Sequence, residues 1–276
     1  MQWVILGVVC GLMLEVYYAN LMIVSILAVE AITQYGDALR MASRNPPLVA
    51  KLLARHLLFG ATVLVVMLPT FVSRWVVYGG PFETGYLSIR NFLWGSPALF
   101  DVLFSSDHGL LAWTPILFLS FVGLVLFAVR SRQPGLAFLV AALAYYLFFA
   151  VYPDWDGISS YGNRFFVSLT PLFVLGLAVT LERAVTHFRQ PRTAQAIASV
   201  ILFFFVVWNL GLIYQWGTHL VPARGPISFR RAAYNQVAVV PRKLFSHLQN
   251  YFLRRGDLMQ QIERGDQEQM NDTAKP

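Results

Sequence analysis

The run AQAIASVILFFFVVWNLGLIY, at positions 194–214, contains no charged side chain from end to end. A bilayer core of ~30 Å is crossed by about 20 apolar residues of helix, so this run reads as a membrane span. The same reading applies to 57–77, 110–129, 135–152 and 165–181. The first apolar stretch, 3–32, is too long for one ordinary span and is interrupted by Glu15, Tyr17, Tyr18 and Asn20. It is either one tilted helix with a polar waist or two short segments broken near 15–20. Composition agrees with the spans. Of the 276 residues, 57% are hydrophobic and 13% charged, against about a quarter charged in soluble domains. The fold expected is all-α, a polytopic transmembrane bundle of six to seven spans.

Charge gives the expected orientation. The net charge of +7 does not point to nucleic acid, because no recognition motif accompanies the basic groups. Arg40, Arg44, Lys51, Arg55, Arg130, Arg132, Arg183, Arg189 and Arg192 lie in the short segments 34–56, 130–133 and 182–192. Only Arg74, Arg90 and Arg164 sit on the other side before the tail. The positive-inside rule then places 79–111, 153–164 and everything after 214 outside. Within the tail, Leu244, Phe245, Leu248, Tyr251 and Phe252 share one helical face between basic ends. That is the pattern of a helix lying in the membrane surface. The domains expected are a transmembrane part over 1–214, an external surface segment over 215–255 and a disordered polar tail over 256–276. Cys10 is the single cysteine, which rules out an intrachain disulfide and a cysteine metal site. The N-terminus lacks the positive region of a secretory signal.

Two polar loops interrupt this oily background. One is Ser105-Ser106-Asp107-His108-Gly109, leading to Trp113-Thr114-Pro115. The other runs from Asp154-Trp155-Asp156-Gly157 to Gly162-Asn163-Arg164-Phe165-Phe166, leading to Thr170-Pro171. A shift of 56 positions aligns Asp107-His108 with Asn163-Arg164 and the two Thr-Pro pairs with each other. Thr as N-cap followed by Pro starts a helix well, which explains the Thr-Pro match. It does not explain a charge and an imidazole ahead of it.

Each polar residue has a chemical reading and a plain one. Arg164, beside Asn163, can clamp a phosphate bidentately or simply snorkel to the interface. His108 beside Asp107 can serve as a base, a metal ligand or a phosphate contact, or as half of a solvated pair. Asp154 and Asp156 can hold a cation or sugar hydroxyls with Trp155 stacking on a sugar face. Otherwise they are hydrated charges beside a belt tryptophan. Glu83, Tyr86, Arg90, Asn91 and Trp94 are weaker candidates. The chain has no phosphate-binding glycine loop, dinucleotide fingerprint, zinc-protease helix or nucleophile elbow.

At these loops the sequence resembles the C-type, lipid-carrier-dependent glycosyltransferases, and more narrowly the bacterial relatives of protein O-mannosyltransferases and aminoarabinose transferases. The likeness rests on Phe104-Ser105-Ser106-Asp107-His108-Gly109-Leu110 with Trp113-Thr114-Pro115, and on Asp156-Gly157 with Tyr161-Gly162-Asn163-Arg164-Phe165-Phe166. Gly11-Leu12-Met13-Leu14 leading to Asn20-Leu21 also resembles an internal helix of that group. The likeness runs to about Val240.

What the resemblance implies is transfer of a sugar from a polyprenyl-phosphate donor at the outer face of a bacterial inner membrane. Asp107, His108, Trp155, Asp156, Asn163 and Arg164 would serve as substrate-binding residues. In that group an acidic residue of the first external loop is the catalytic base, and some members use a divalent metal. No external loop precedes Gly11-Leu12 here, and Glu15 does not match that base. No base or metal ligand is therefore carried over. The expectation is a C-terminal half working with an N-terminal half or partner subunit, in contact with lipid bilayer and not nucleic acid. A non-enzymatic binder of lipid headgroups, or an assembly subunit, is the alternative from a different class.

Overall fold

In the computed structural model, the described residues are 1–41, 47–83, 85, 89–187, 190–256, 259–260, 263–265 and 267. Among them the chain is all helical, with no strand. Helix α1 spans Gln2–Val16, α2 Ser25–Arg40, α3 Pro47–Val66 and α4 Leu68–Tyr78. Two short helices follow, α5 (Asp101–Phe104) and α6 (Leu110–Trp113). Then come α7 (Leu117–Arg130), α8 (Arg132–Ala150), α9 (Thr170–His187) and α10 (Pro191–Gly217). The last two are α11 (Phe229–Tyr234) and α12 (Val240–Leu253). Five helical segments are long and apolar enough to cross a bilayer, and α1 and α7 are shorter apolar helices. The chain is an integral membrane protein. Contacts divide it into two compact units, Met1–Leu202 and Phe203–Pro276.

The open question about segment 3–32 resolves as a break. Tyr17 is extended, with φ −159° and ψ 117°, which ends α1. The Asn20 side chain donates to the Met13 carbonyl at 2.9 Å, a second hydrogen bond to an acceptor that the Tyr17 amide also meets at 3.2 Å. A 3-10 turn over Tyr18–Met22 then leads into α2. Glu15 therefore lies at a helix end, where the Thr70 hydroxyl donates to it. The expected span 57–77 is likewise divided, into α3 and α4. Pro69 has no amide hydrogen to donate to a carbonyl one turn back, and it sits in the first turn of α4.

The first unit is assembled through small residues. Helices α1 and α3 run parallel. A Cβ on Gly7 would lie 2.7 Å from Thr62 Cβ, and one on Gly11 would lie 2.7 Å from Val66. Helix α2 runs antiparallel to α8, with Gln133 donating to Thr33 Oγ1 at 2.7 Å and Tyr18 meeting Phe148 at 6.2 Å.

Helices α7 and α9 make the tightest contact, and they are parallel. A Cβ on Gly123 would stand 1.7 Å from the Gly176 carbonyl oxygen, and one on Gly176 would stand 2.1 Å from that of Ser120. Backbones approach this closely only where side chains are nearly absent. The pairing of 120 with 176 is a separation of 56, the same shift that aligns the two polar loops in the sequence.

The loops 79–111 and 153–164 meet at one end of this unit. Leu93 and Ala98 donate backbone hydrogen bonds of 2.7 Å to Val151 and Ala150. The Tyr146 hydroxyl donates to the Leu99 carbonyl at 2.6 Å. Beneath them lies an aromatic core. Phe149 stacks on Phe165 with centroids 4.5 Å apart, and Tyr145, Phe149 and Trp113 are fully buried. At the opposite end Arg130 meets Glu182 at 3.3 Å and Tyr35 lies against His56.

In the second unit, Gln215 is fully buried and donates to the Ala232 carbonyl and to Gln236. A 2.8 Å hydrogen bond links Tyr214 to His247 of α12. Leu244, Phe245, Leu248, Tyr251 and Phe252 are exposed on α12, as the surface-helix reading expects. Most of the expected disordered tail, 256–276, lies outside the described residues, and the described ones within it are helical. The turn expected at Asn45-Pro46-Pro47 also begins outside them.

Gly123→Val forces the α7 and α9 backbones apart. Overpacking commonly costs ~1–3 kcal/mol and occasionally more, so thermal unfolding in detergent is expected to show a loss at or above the top of that range. Gly60→Ala on α3, where a Cβ meets nothing within 4 Å, is expected to be neutral or mildly stabilising in the same assay.

Candidate functional site

The loop ahead of α7 is a tight turn built by its own residues. The Asp107 amide donates to Ser105 Oγ at 3.0 Å, and the Gly109 amide donates to the Ser105 carbonyl at 3.0 Å. His108 takes φ 61°, a left-handed value uncommon outside glycine. A Cβ on Gly109 would come within 2.5 Å of the Ser105 backbone, so that position admits only glycine. Trp113 reaches back, donating its indole N–H to the Ser106 carbonyl at 3.2 Å.

The loop ahead of α9 is fastened in a similar way. The Ile158 amide donates to Asp156 Oδ1 at 3.0 Å, and the Gly157 amide donates to the Asp154 carbonyl at 3.0 Å. Asn163, almost wholly buried, donates to the Trp155 carbonyl at 2.8 Å. Trp155 itself packs against the aromatic core.

Parallel packing of α7 and α9 brings these two loops side by side. Trp113 is the partition between them. Its ring lies 5.0 Å from that of His108 on one side and 5.5 Å from that of Tyr161, edge-on, on the other.

On the first side, His108 is fully buried, with Nδ1 3.7 Å from Asp107 Oδ1. One ligand atom each from Asp107, His108 and Asp156 falls within 4.8 Å of the others. Neither ring nitrogen of His108 has a hydrogen-bond partner among the described residues. Buried polar atoms are nearly always paired, so this side chain is incompletely satisfied by the protein alone.

On the other side is a groove of about 340 Å³. Its floor is apolar, from Leu117, Phe173, Val174 and Leu177 on α7 and α9. Its mouth carries Tyr161, Asn163 and Arg164. Arg164 is exposed, with its guanidinium 5.8 Å from the Phe165 ring. Burial pushes the Tyr161 phenol well above its ordinary pKa, so it stays a neutral hydroxyl at physiological pH.

The structure therefore sorts the six expected residues into separate sets. Asp107, His108 and Asp156 form one cluster. Asn163 and Arg164 stand at the groove, and Trp155 supports the loop between them. Asp156 meets Asp107 and His108 of the neighbouring loop. Tyr161, directly before Gly162-Asn163-Arg164 in the sequence, joins Asn163 and Arg164 at the groove although it is not among the six expected residues. The Thr170 hydroxyl donates to the Val167 carbonyl at 2.6 Å and does not act as an N-cap. Of the weaker candidates, Tyr86 lies outside the described residues. Trp94 donates to the Ile89 carbonyl at 2.9 Å, which makes it part of its own loop. Comparison with known protein families, curated proteins and solved structures returns no match.

Asn163→Ala deletes the tie from the groove mouth to Trp155. A net loss of ~1 kcal/mol for one hydrogen bond, or more where a buried carbonyl is left unpaired, is expected to speed amide exchange across 154–162 by fivefold or more. Exchange within α7 and α9 is expected to stay unchanged.

Proposed function

We propose that the chain is a membrane glycosyltransferase component that binds a polyprenyl-phosphate sugar donor at the outer face of a bacterial inner membrane. The isoprenoid chain lies in the groove between α7 and α9, and Arg164 holds the phosphate. The observation that carries the reading is the groove's own polarity. It has apolar walls between membrane helices, and at its mouth a guanidinium beside a phenol and an amide. That is the complement of an anionic lipid headgroup on a long apolar tail.

Further support comes from the polar atoms at the mouth. The buried Asn163 Oδ1 accepts no hydrogen bond among the described residues, and it can accept one from a sugar hydroxyl. The neutral Tyr161 hydroxyl stands at the same mouth. The resemblance of these loops to lipid-carrier-dependent glycosyltransferases supplies the donor class. No carboxylate lines the groove, so this reading assigns it donor binding and no catalytic base. A non-enzymatic headgroup binder would use the same groove, and it predicts that no sugar is transferred whatever partner is added.

Charged hydrogen bonds contribute ~1.5–3 kcal/mol, which corresponds to about ten- to hundredfold in affinity. Arg164→Ala is accordingly expected to weaken binding of a long-chain polyprenyl phosphate in nanodiscs by that factor, while binding of the uncharged polyprenol stays as it was. Arg164→Lys should retain part of the affinity, since the charge remains and the bidentate fork is lost. Equal affinity of wild type and Arg164→Ala for the phosphate would defeat the proposal.

A further inference from the structure

We propose that Asp107, His108 and Asp156 bind a divalent transition-metal ion that staples the two polar loops together. This inference stands without the groove reading, because it uses none of the groove residues.

Three observations carry it. The first is His108. Its ring is fully buried, it offers a donor and an acceptor or two donors, and both nitrogens lack a partner among the described residues. Leaving such groups unmet is costly, and a bound cation would meet one of them with a lone pair from the neutral ring. The second is distance. His108 Nδ1 and Asp107 Oδ1 are 3.7 Å apart, too far for a hydrogen bond. Ligand atoms bound at ~2.0–2.2 Å to one ion stand roughly 3.4 Å apart in a tetrahedral shell and up to about 4.3 Å apart across an octahedral one. From the full span of 4.8 Å, closure of about 0.5 Å reaches a trans pair of an octahedral shell and about 1.4 Å a tetrahedral one. The third is chemistry. One imidazole with two carboxylates is a donor set suited to zinc or manganese, whereas magnesium prefers oxygen alone and keeps much of its water.

The role inferred is structural. Asp107 and His108 belong to the turn ahead of α7, and Asp156 to the loop ahead of α9. Neither ring nitrogen of His108 is hydrogen-bonded to Asp156 across the loops. An ion shared by them would fix the spacing of the loops and, through the partition at Trp113, the width of the groove mouth.

The test is metal binding by the purified full chain in detergent after chelator treatment, using Zn²⁺ and then Co²⁺ as probes. The expected result is one ion per chain with a dissociation constant in the micromolar range or below, and a rise in Tm on binding. Co²⁺ should also quench tryptophan fluorescence, because the Trp113 ring lies 5.0 Å from that of His108. Loss of an outer-shell partner alone costs ~10–100-fold in metal affinity, so His108→Gln and Asp156→Asn should each weaken binding by at least that factor. Asp156→Asn keeps an oxygen for the Ile158 amide, which guards against a variant that merely fails to fold. His219→Ala and His247→Ala are expected to bind as wild type does. Absence of saturable binding, with stability unchanged by chelation, would overturn the site. Equal affinity of wild type and Asp156→Asn, or loss of the ion only in the His219 or His247 variants, would overturn it as well.

Discussion

The contact between Gly123 and Gly176 is the constraint on which the candidate site depends. Two membrane helices have little hydrophobic reason to associate, because lipid is as apolar as their side chains. They associate where backbones can come close, and α7 and α9 do so through Ser120, Gly123, Gly176 and Thr180. The Thr180 hydroxyl adds a 2.7 Å hydrogen bond to the Leu119 carbonyl across the interface. Because these helices are parallel, the segments that lead into them arrive at the same end. Because residue 120 meets residue 176, those segments arrive in matched register. The site is thus a consequence of helix packing, and the loops add the chemistry.

That register also explains how much of the protein was legible in its sequence. The spans follow from apolar length, and the 56-residue offset between the loops follows from their residues. What the sequence withheld was the partner of each polar group. Asp154 and Asp156 are two apart in the chain, and proximity in sequence argued for a shared cation. In space, the Asx-type hydrogen bond from the Ile158 amide fixes Asp156 toward the opposite loop. The sequence leaves the geometry of 3–32 open, because the break at Tyr17 is secured by a side chain, Asn20, folding back on Met13. Proline breaks are more visible, and Pro69 is the residue within 57–77 that marks the division at Met67.

The loops carry conformations that local sequence preference disfavours. His108 and the β-branched Ile158 both have φ near +60°, and a β-branched residue there is a real outlier. Such residues cost on the order of 1–3 kcal/mol each and persist where surrounding structure over-determines them. Here the surroundings do so. Trp113 is wedged between the loops, Asn163 ties one of them to its own start, and the Phe149–Phe165 stack holds them from below. Strain of this kind, next to a buried imidazole with no hydrogen bond among the described residues, is the local inconsistency expected at functional sites.

Segregation of charge across Trp113 then limits what each half can do. Asp107 and Asp156 are acidic and lie behind the indole, whereas the cation Arg164 lies in front of it at a lipid-accessible groove. Were the carboxylates in the groove, they would repel the anionic headgroup proposed to bind at Arg164. Placed behind the partition, they can order the loops without lining the groove. The indole separates the two fields with an apolar slab of low polarisability compared with water, so little of the negative potential is screened by solvent at that boundary. An ion bound among the carboxylates would cancel that potential at its source. The acidic cluster and a groove proposed to take an anion are therefore easier neighbours when a cation meets the cluster's charge.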